Sequence, residues 1–362
     1  MTDFMTKNKE KLEQFAAMSQ AAGSRSDYVQ GGGGNTSVKL ADGLMAIKAS
    51  GYCLSDIRPD KAYAVLDYEA LRRFYYDNEP AQLADVEKLG SACAKENTKL
   101  IEGMDALRPS VEAGFHSILK TFVCHTHSVY ANLAACSTAC CEIAEKAFNG
   151  ADYTWGWVPY TDPGANLTFA IRDELRRVGE KTGKVPSVIL MQNHGIIVHD
   201  DDAERCLAIH ADANERLAQQ SGIHGDSFPA ISVRQTGEEL YEADTPYLRE
   251  ALKNCRYDYK TFIETPLYPD QMVFLIGTFF MDKEGTPAEG ECYADTKTGA
   301  LVLHMGEKKA KTITETLTAV IFIMDTIAKM GYTVSTMGEA AKSFIANWES
   351  EKYRKSLAGK KG

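Results

Sequence analysis

The stretch "GGGGNTSVKLADGLMAIKASG", Gly31 to Gly51, sets the reading of the first part of this 362-residue chain. Two short apolar runs flank Asp42-Gly43, a pair in which both turn positions tolerate positive φ, so a β-hairpin is expected. The four glycines thus lead straight into a sheet, and three uses compete for them: a phosphate cradle, a flexible linker and a tight turn before a strand. The nucleotide motifs do not fit. No GxGxxG frame closes, because Thr36 or Ser37 takes the last position, and no GK[ST] follows as a P-loop requires. A tight turn and a nest of backbone N–H groups at Gly33 and Gly34, extended by the Asn35 amide around a phosphate, both stay open. "KASG", with Ser50 and Gly51 at the far end of the hairpin, would return to the same place, and Ser110 would add a hydroxyl.

Outward from the hairpin, strand and helix patterns alternate. A helix is expected over Leu12 to Ala22, then a strand and helix in "KAYAVLDYEALRRFY" and a helix in "RPSVEAGFHSILKTF" started by Pro109 and Ser110. The strand "FVCHTHS", an Ala-rich helix from Val129 to Ala147, and the aromatic loop "YTWGWVPYTDPGAN" follow. Next come a helix from Leu167, the strand "SVILMQNHGIIV" and a helix from Asp202 to about Gln220. The alternation makes this part α/β. After Gly222 the pattern changes. Residues 223–265 read as a linker with short helices, and 266–362 as a small α+β module with strands "QMVFLIGTFFM" and "ALVLHMG" and two helices from near Ile313 and Thr336.

Composition narrows the class of partner. A net charge of -10 gives no broad basic surface, which argues against nucleic acid or an anionic membrane. The Lys/Arg-rich end, "EKYRKSLAGKKG", reads as a solvated tail. Nine cysteines without a CxxC pair fit a reducing compartment, and "CSTACC" reads as small buried thiols in a helix rather than a metal cluster. The charged start lacks the apolar core of a signal peptide and "LTAVIFIM" is too short to span a bilayer, so a cytoplasmic protein is expected.

"HTH" carries the sharpest chemistry. His125 and His127 are two apart at the end of an apolar strand, so both imidazoles project from one face and can grip one metal ion. A lone histidine there would be read as a satisfied core residue. "MQNHGIIV" offers His194 as a third candidate, with Gly195 permitting a tight backbone path. Three neutral histidines with an open position suit a catalytic zinc site better than a structural one. His116, His199, His210, His224 and His304 have no comparable partners and are read as structural or surface residues. Glu112 lies in the first turn of the helix before the HTH strand. It either complements the helix dipole or serves as a general base, which at neutral pH requires a pKa raised by burial or a substrate proton made more acidic by the metal.

Taken in order, "GGGGNTSVKL", "KASG", "RPSVEAGFH", "VCHTHS", "YTDPGANL" and "NHGIIV" resemble the class II aldolase and adducin family, in the branch of fuculose and rhamnulose phosphate aldolases. The resemblance covers roughly residues 12–220. It implies a three-layer α/β/α domain over 1–222 with a central mixed, largely antiparallel sheet, and a homotetramer with active sites at subunit interfaces. It further implies a divalent metal, usually Zn2+, with Mn2+ or Co2+ as substitutes. His125, His127 and His194 match the metal ligands and Glu112 the catalytic acid/base; Gly33, Gly34, Asn35, Ser50, Gly51 and Ser110 match the phosphate-site positions. Gly32 and Val111 depart from the pattern, standing where family aldolases commonly carry hydroxyls.

The function expected on this basis is reversible cleavage of a phosphorylated ketose through a metal-stabilised enediolate, with a small sugar phosphate as partner. A 4-epimerase, a sugar-acid decarboxylase or a dehydratase on the same scaffold, a zinc hydrolase, and a non-enzymatic adducin-like interaction domain are the alternatives. "PLYPDQMVFL" and "NWESEKYR" are similar to the stretch that joins the two halves of bifunctional aldolase/dehydrogenase proteins, and the module holding them is expected to aid assembly or cover the site.

Overall fold

A computed structural model describes residues 3–347; the Lys/Arg-rich end and most of "NWESEKYR" lie outside the described residues. Asp42 and Gly43 take φ of 59° and 69°, and they join β1 (Asn35–Lys39) to β2 (Leu44–Lys48) in the expected hairpin. Around it an eight-stranded sheet is completed by β3 (Tyr63–Asp67), β4 (Thr98–Lys99), β5 (Phe122–Thr126), β6 (Trp155–Val158), β7 (Val188–Met191) and β8 (Gly195–Asp200). Its order is β4-β3-β2-β1-β5-β8-β7-β6, with every pair antiparallel except β6 with β7.

Side-chain alternation sorts each strand between two cores. Val188, Leu190, Ile196 and Val198 enter the core beneath helices Lys9–Gly23, Val129–Ala135 and Ala203–Gln220. Ile189, Met191, Ile197 and Val123 enter the opposite one, with helices Ala113–Ile118 and Ala165–Thr182. This is a three-layer α/β/α arrangement, and each core follows from the two-residue period of a strand.

A second sheet has the order β11-β12-β13-β10-β9, formed by β9 (Val233–Gly237), β10 (Leu240–Ala243), β11 (Phe279–Met281), β12 (Cys292–Asp295) and β13 (Ala300–His304). Several elements differ from expectation. Within 223–265 the chain forms not only short helices but also the β9–β10 hairpin. "QMVFLIGTFFM" is not one strand. Pro269 in the first turn starts a helix, Pro269–Leu275, and Gly277 at φ 74° ends the turn before β11. The Ala-rich helix breaks into Val129–Ala135 and Cys140–Ala147, because Ser137 bridges Val334 and the Thr138 N–H donates to Thr333 O. Cys136 and Cys140 are buried, whereas Cys141 is exposed. The loop after Asn149 contains β6, and "SVILMQNHGIIV" is the β7–β8 pair rather than a single strand.

Helix Glu307–Lys329 ties the second sheet to the first part of the chain. It packs on helix Val129–Ala135, and its apolar side chains continue the same core. Thr314 and Thr318 are buried in it without cost, since each hydroxyl donates to the carbonyl four residues earlier. No helix among the described residues is long and apolar enough to cross a membrane.

Candidate active site

β1 and β5 pair so that Asn35 lies opposite His125, which puts the two side chains on one face. His127, two residues further and just past the strand end, follows on that face, while Thr126 between them turns away to meet His210 Nε2 at 2.8 Å. His194 arrives in the turn between β7 and β8. The turn is held tight against β5 by Gly195: a Cβ there would lie 2.3 Å from Thr126 O. Asn193, at φ 51°, completes the turn. The three imidazole rings form a triangle with centroids 5.0 Å apart on every side, and all three residues are buried.

Hydrogen bonds at the far nitrogens fix the tautomers. His125 Nδ1–H donates to Ile196 O at 3.0 Å, and His127 Nδ1–H donates to Asp270 Oδ2 at 2.5 Å. Both Nε2 atoms therefore present lone pairs, and they face each other at 3.2 Å. Burial pushes the His125 imidazole down to about 3, so it is neutral at ordinary pH. Two facing lone pairs at this distance repel unless a cation lies between them. A tetrahedral zinc with Zn–N bonds of about 2.0–2.1 Å sets its ligand nitrogens about 3.3–3.4 Å apart, so the donor set fits the ion. The ligand atoms of His125, His127 and His194 all lie within 4.8 Å of one another.

Glu112 immediately precedes helix Ala113–Ile118, one step earlier than expected, and does not cap it. Its carboxylate faces the histidines: Oε1 is 3.3 Å from His194 Nε2 and Oε2 is 3.6 Å from His125 Nε2. Asn35 Nδ2 donates to Glu112 Oε2 at 2.5 Å and to Ser110 Oγ at 3.1 Å. The amide is oriented in turn by His116, whose Nε2 meets Asn35 Oδ1 and whose Nδ1 lies 2.7 Å from Ser37 Oγ. His116, which the sequence suggests is merely structural, thus holds the residue that holds Glu112. Burial alone would raise the Glu112 carboxyl. Electrostatic attraction to His125, the contact with His194 Nε2 and the nearby His127 oppose it and keep the group below the usual carboxylate range.

Of the residues expected at a phosphate, Asn35 and Ser110 meet beside Glu112. "KASG" lies alongside "RPS" through the Ala49–Pro109 bridge and the Ser50 N–H to Arg108 O bond of 2.9 Å, with Gly51 at φ 88°. The glycine run forms a turn in which two N–H groups are already taken. Gly33 N–H is taken by Gln30 O at 3.1 Å, and Gly31 N–H by Glu315 Oε2 at 3.0 Å. What Gly33 supplies is room. A Cβ there would lie 2.3 Å from Asp270 Oδ2 and 2.9 Å from His127 Nδ1. Gly34, at φ 63°, has the same function against His125 O, at 2.5 Å. Beside Gly32, where a hydroxyl is usual, the buried Lys48 places its ammonium 3.4 Å from Gly32 O and 2.8 Å from Tyr52 O.

Asp270, Asn193 and Lys48 escape a reading of the sequence. Lys48 adjoins "ASG" and Asn193 precedes His194, so adjacency is a usable signal for both. Asp270 is 143 residues from its partner and has no local mark.

A family model described as the class II aldolase and adducin N-terminal domain matches residues 13–221. Among solved structures, the N-terminal class II aldolase domain of a conserved Thermoplasma acidophilum protein is 20% identical over 57% of this chain and 92% of that chain, with a TM-score of 0.46. L-fuculose 1-phosphate aldolase from Glaciozyma antarctica PI12 is 12% identical over 61% of this chain and 76% of its own, at a TM-score of 0.38. A sugar-phosphate aldolase from Thermotoga maritima is 14% identical over 58% and 94%, also at 0.38. No curated protein matches significantly. The assignment rests on the family model, which spans more than half of the sequence: the chain belongs to the class II aldolase and adducin N-terminal domain family.

Proposed function

We propose that the chain is a metal-dependent aldolase that reversibly cleaves a phosphorylated ketose. The observation that carries this reading is the triangle of buried histidines with two Nε2 lone pairs facing at 3.2 Å and a carboxylate at its edge. An adducin-like interaction domain has no need of such a set. A divalent ion held by His125, His127 and His194, most simply Zn2+, would supply Lewis acidity toward the substrate carbonyl and adjacent hydroxyl. Glu112, held ionised and aimed by Asn35, accepts a proton from the substrate carbon or hydroxyl and returns it. Phe115, its ring 5.7 Å from that of His125, keeps water from that side. Asn35, Ser50, Gly51 and Ser110 line the way to the substrate anion, and Lys48 supplies positive charge behind Gly32. The nine free cysteines support a reducing, cytoplasmic setting, and the tetramer implied by the family resemblance belongs to the same reading.

Purified zinc-loaded protein, given a panel of ketose phosphates, is expected to release glycerone phosphate or glycolaldehyde phosphate from one of them. Glu112→Gln should keep the metal and lose turnover by at least about 100-fold. A fully active Glu112→Gln variant refutes the mechanism; an epimeric sugar or CO2 as the sole product assigns the scaffold to epimerisation or decarboxylation instead.

A further inference from the structure

The C-terminal part of the chain reaches the histidines directly. Asp270, fully buried in the first turn of helix Pro269–Leu275, accepts the Nδ1–H of His127 at 2.5 Å. Two and three residues before Asp270 the same segment grips the site again. Tyr268, whose ring lies 6.3 Å from that of His127, donates its hydroxyl to Gln30 Oε1 at 3.3 Å, and Leu267 O accepts from Asn193 Nδ2 at 2.8 Å. Ser335 O accepts the other Asn193 amide hydrogen, also at 2.8 Å, so the turn presenting His194 is pinned from two points of the C-terminal part. Glu315 closes the set by accepting the Gly31 N–H at the start of the glycine run.

We infer that this part of the chain is built into the metal centre, with Asp270 as the positioning residue for His127. The inference rests on the reading of His125, His127 and His194 as metal ligands. A histidine ligand needs one tautomer and one ring angle. A carboxylate on the far nitrogen fixes both and makes the near nitrogen a stronger donor. His125 obtains its tautomer from a neutral carbonyl within the sheet, Ile196 O. His127 stands just past the end of β5 and takes a carboxylate acceptor from 143 residues away. The cost in sequence is visible at Gly33, the position at which a methyl would occupy the space of the Asp270 carboxylate. The glycine run, the histidine and the C-terminal helix are therefore one device. It predicts that His127 is a weaker ligand wherever the acid is missing.

The test uses the full chain with Asp270→Leu and Asp270→Asn. Zn2+ affinity is measured by competition with a chromophoric chelator, the visible spectrum of the Co2+ form reports ligand geometry, and melting of the metal-free chain reports folding. Asp270→Leu should weaken Zn2+ binding by about 10- to 100-fold and alter the cobalt bands. Asp270→Asn keeps an acceptor oxygen but no charge, and should fall between that variant and the native chain; it carries the test if Asp270→Leu does not fold. If both variants, or Asp270→Asn alone in that case, bind Zn2+ within about twofold of the native chain with unchanged cobalt bands, the role assigned to Asp270 is overturned. A native chain that binds no metal overturns the proposed centre along with it, so the two failures are distinct.

Discussion

Replacing Gly33 by alanine adds one methyl group at the point where the glycine run, His127 and the C-terminal helix meet. Gly33 does not lie at positive φ, so the backbone accepts alanine without strain, and contact alone decides the outcome. The new Cβ would stand 2.3 Å from Asp270 Oδ2, and the oxygen must retreat by about 1 Å to reach ordinary van der Waals separation. If Oδ2 and His127 Nδ1 both back straight off the methyl to about 3.4 Å, their 2.5 Å hydrogen bond opens to about 3.2 Å, the long end of the hydrogen-bond range. The Nδ1 of His127, 2.9 Å from the same methyl, is pressed in the other direction. Weakening the outer partner of a histidine proposed as a metal ligand should loosen the metal by up to about 10-fold, or about 1.4 kcal/mol. Chelator competition at fixed pH measures this, with melting of the metal-free chain as a control for general damage. Gly33→Ala that holds Zn2+ as tightly as the native chain, with an unchanged cobalt spectrum, refutes the view that this glycine is there to admit Asp270.

Two further outcomes are expected. Asn193→Ala removes both bonds from the buried amide to Leu267 O and Ser335 O and leaves a non-glycine residue at φ 51°, which should cost about 2–4 kcal/mol. Denaturant unfolding of the metal-free chain reads this as a lower midpoint at unchanged slope, and a shift below about 0.5 kcal/mol contradicts it. Stability should also fall in acid. Burial pushes His210 and His199 down to about 3 from 6.5, so between those values the unfolded chain takes up protons that the folded chain refuses. Their contribution is thus constant above about pH 6.5 and is lost progressively as the pH falls toward 3. Melting temperatures of the metal-free chain, taken downward from neutral pH, should show that slope, and His210→Gln should reduce it; an equal slope in the variant excludes His210 as a source.

Much of the proposed metal site follows from local chain geometry. The two-residue period of a strand places His125 and His127 on one face and Thr126 on the other, and no tertiary contact is needed to see it. Asp42-Gly43 likewise announces its turn, because the backbone angles required there suit those residues. His194 at a strand end and Glu112 at a helix start were candidates from their local context, and the succession of motifs shared with a family supported joining them to the histidine pair, since nothing in either residue's neighbourhood states a distance. The remaining features belong to tertiary structure. A run as short as "QMVFL" has no period that separates helix from strand, and Pro269 with the packing of its neighbours settled it as a helix. The break at Ser137 is made by Val334, and the second turn of glycine use, room for Asp270 at Gly33, is made by a residue of that helix. The sequence by itself determined which side chains share a face, because covalent geometry repeats every two residues. Only the folded chain decided which far-off carboxylate would stand behind His127, because a contact across 143 residues leaves no mark on the residues that make it.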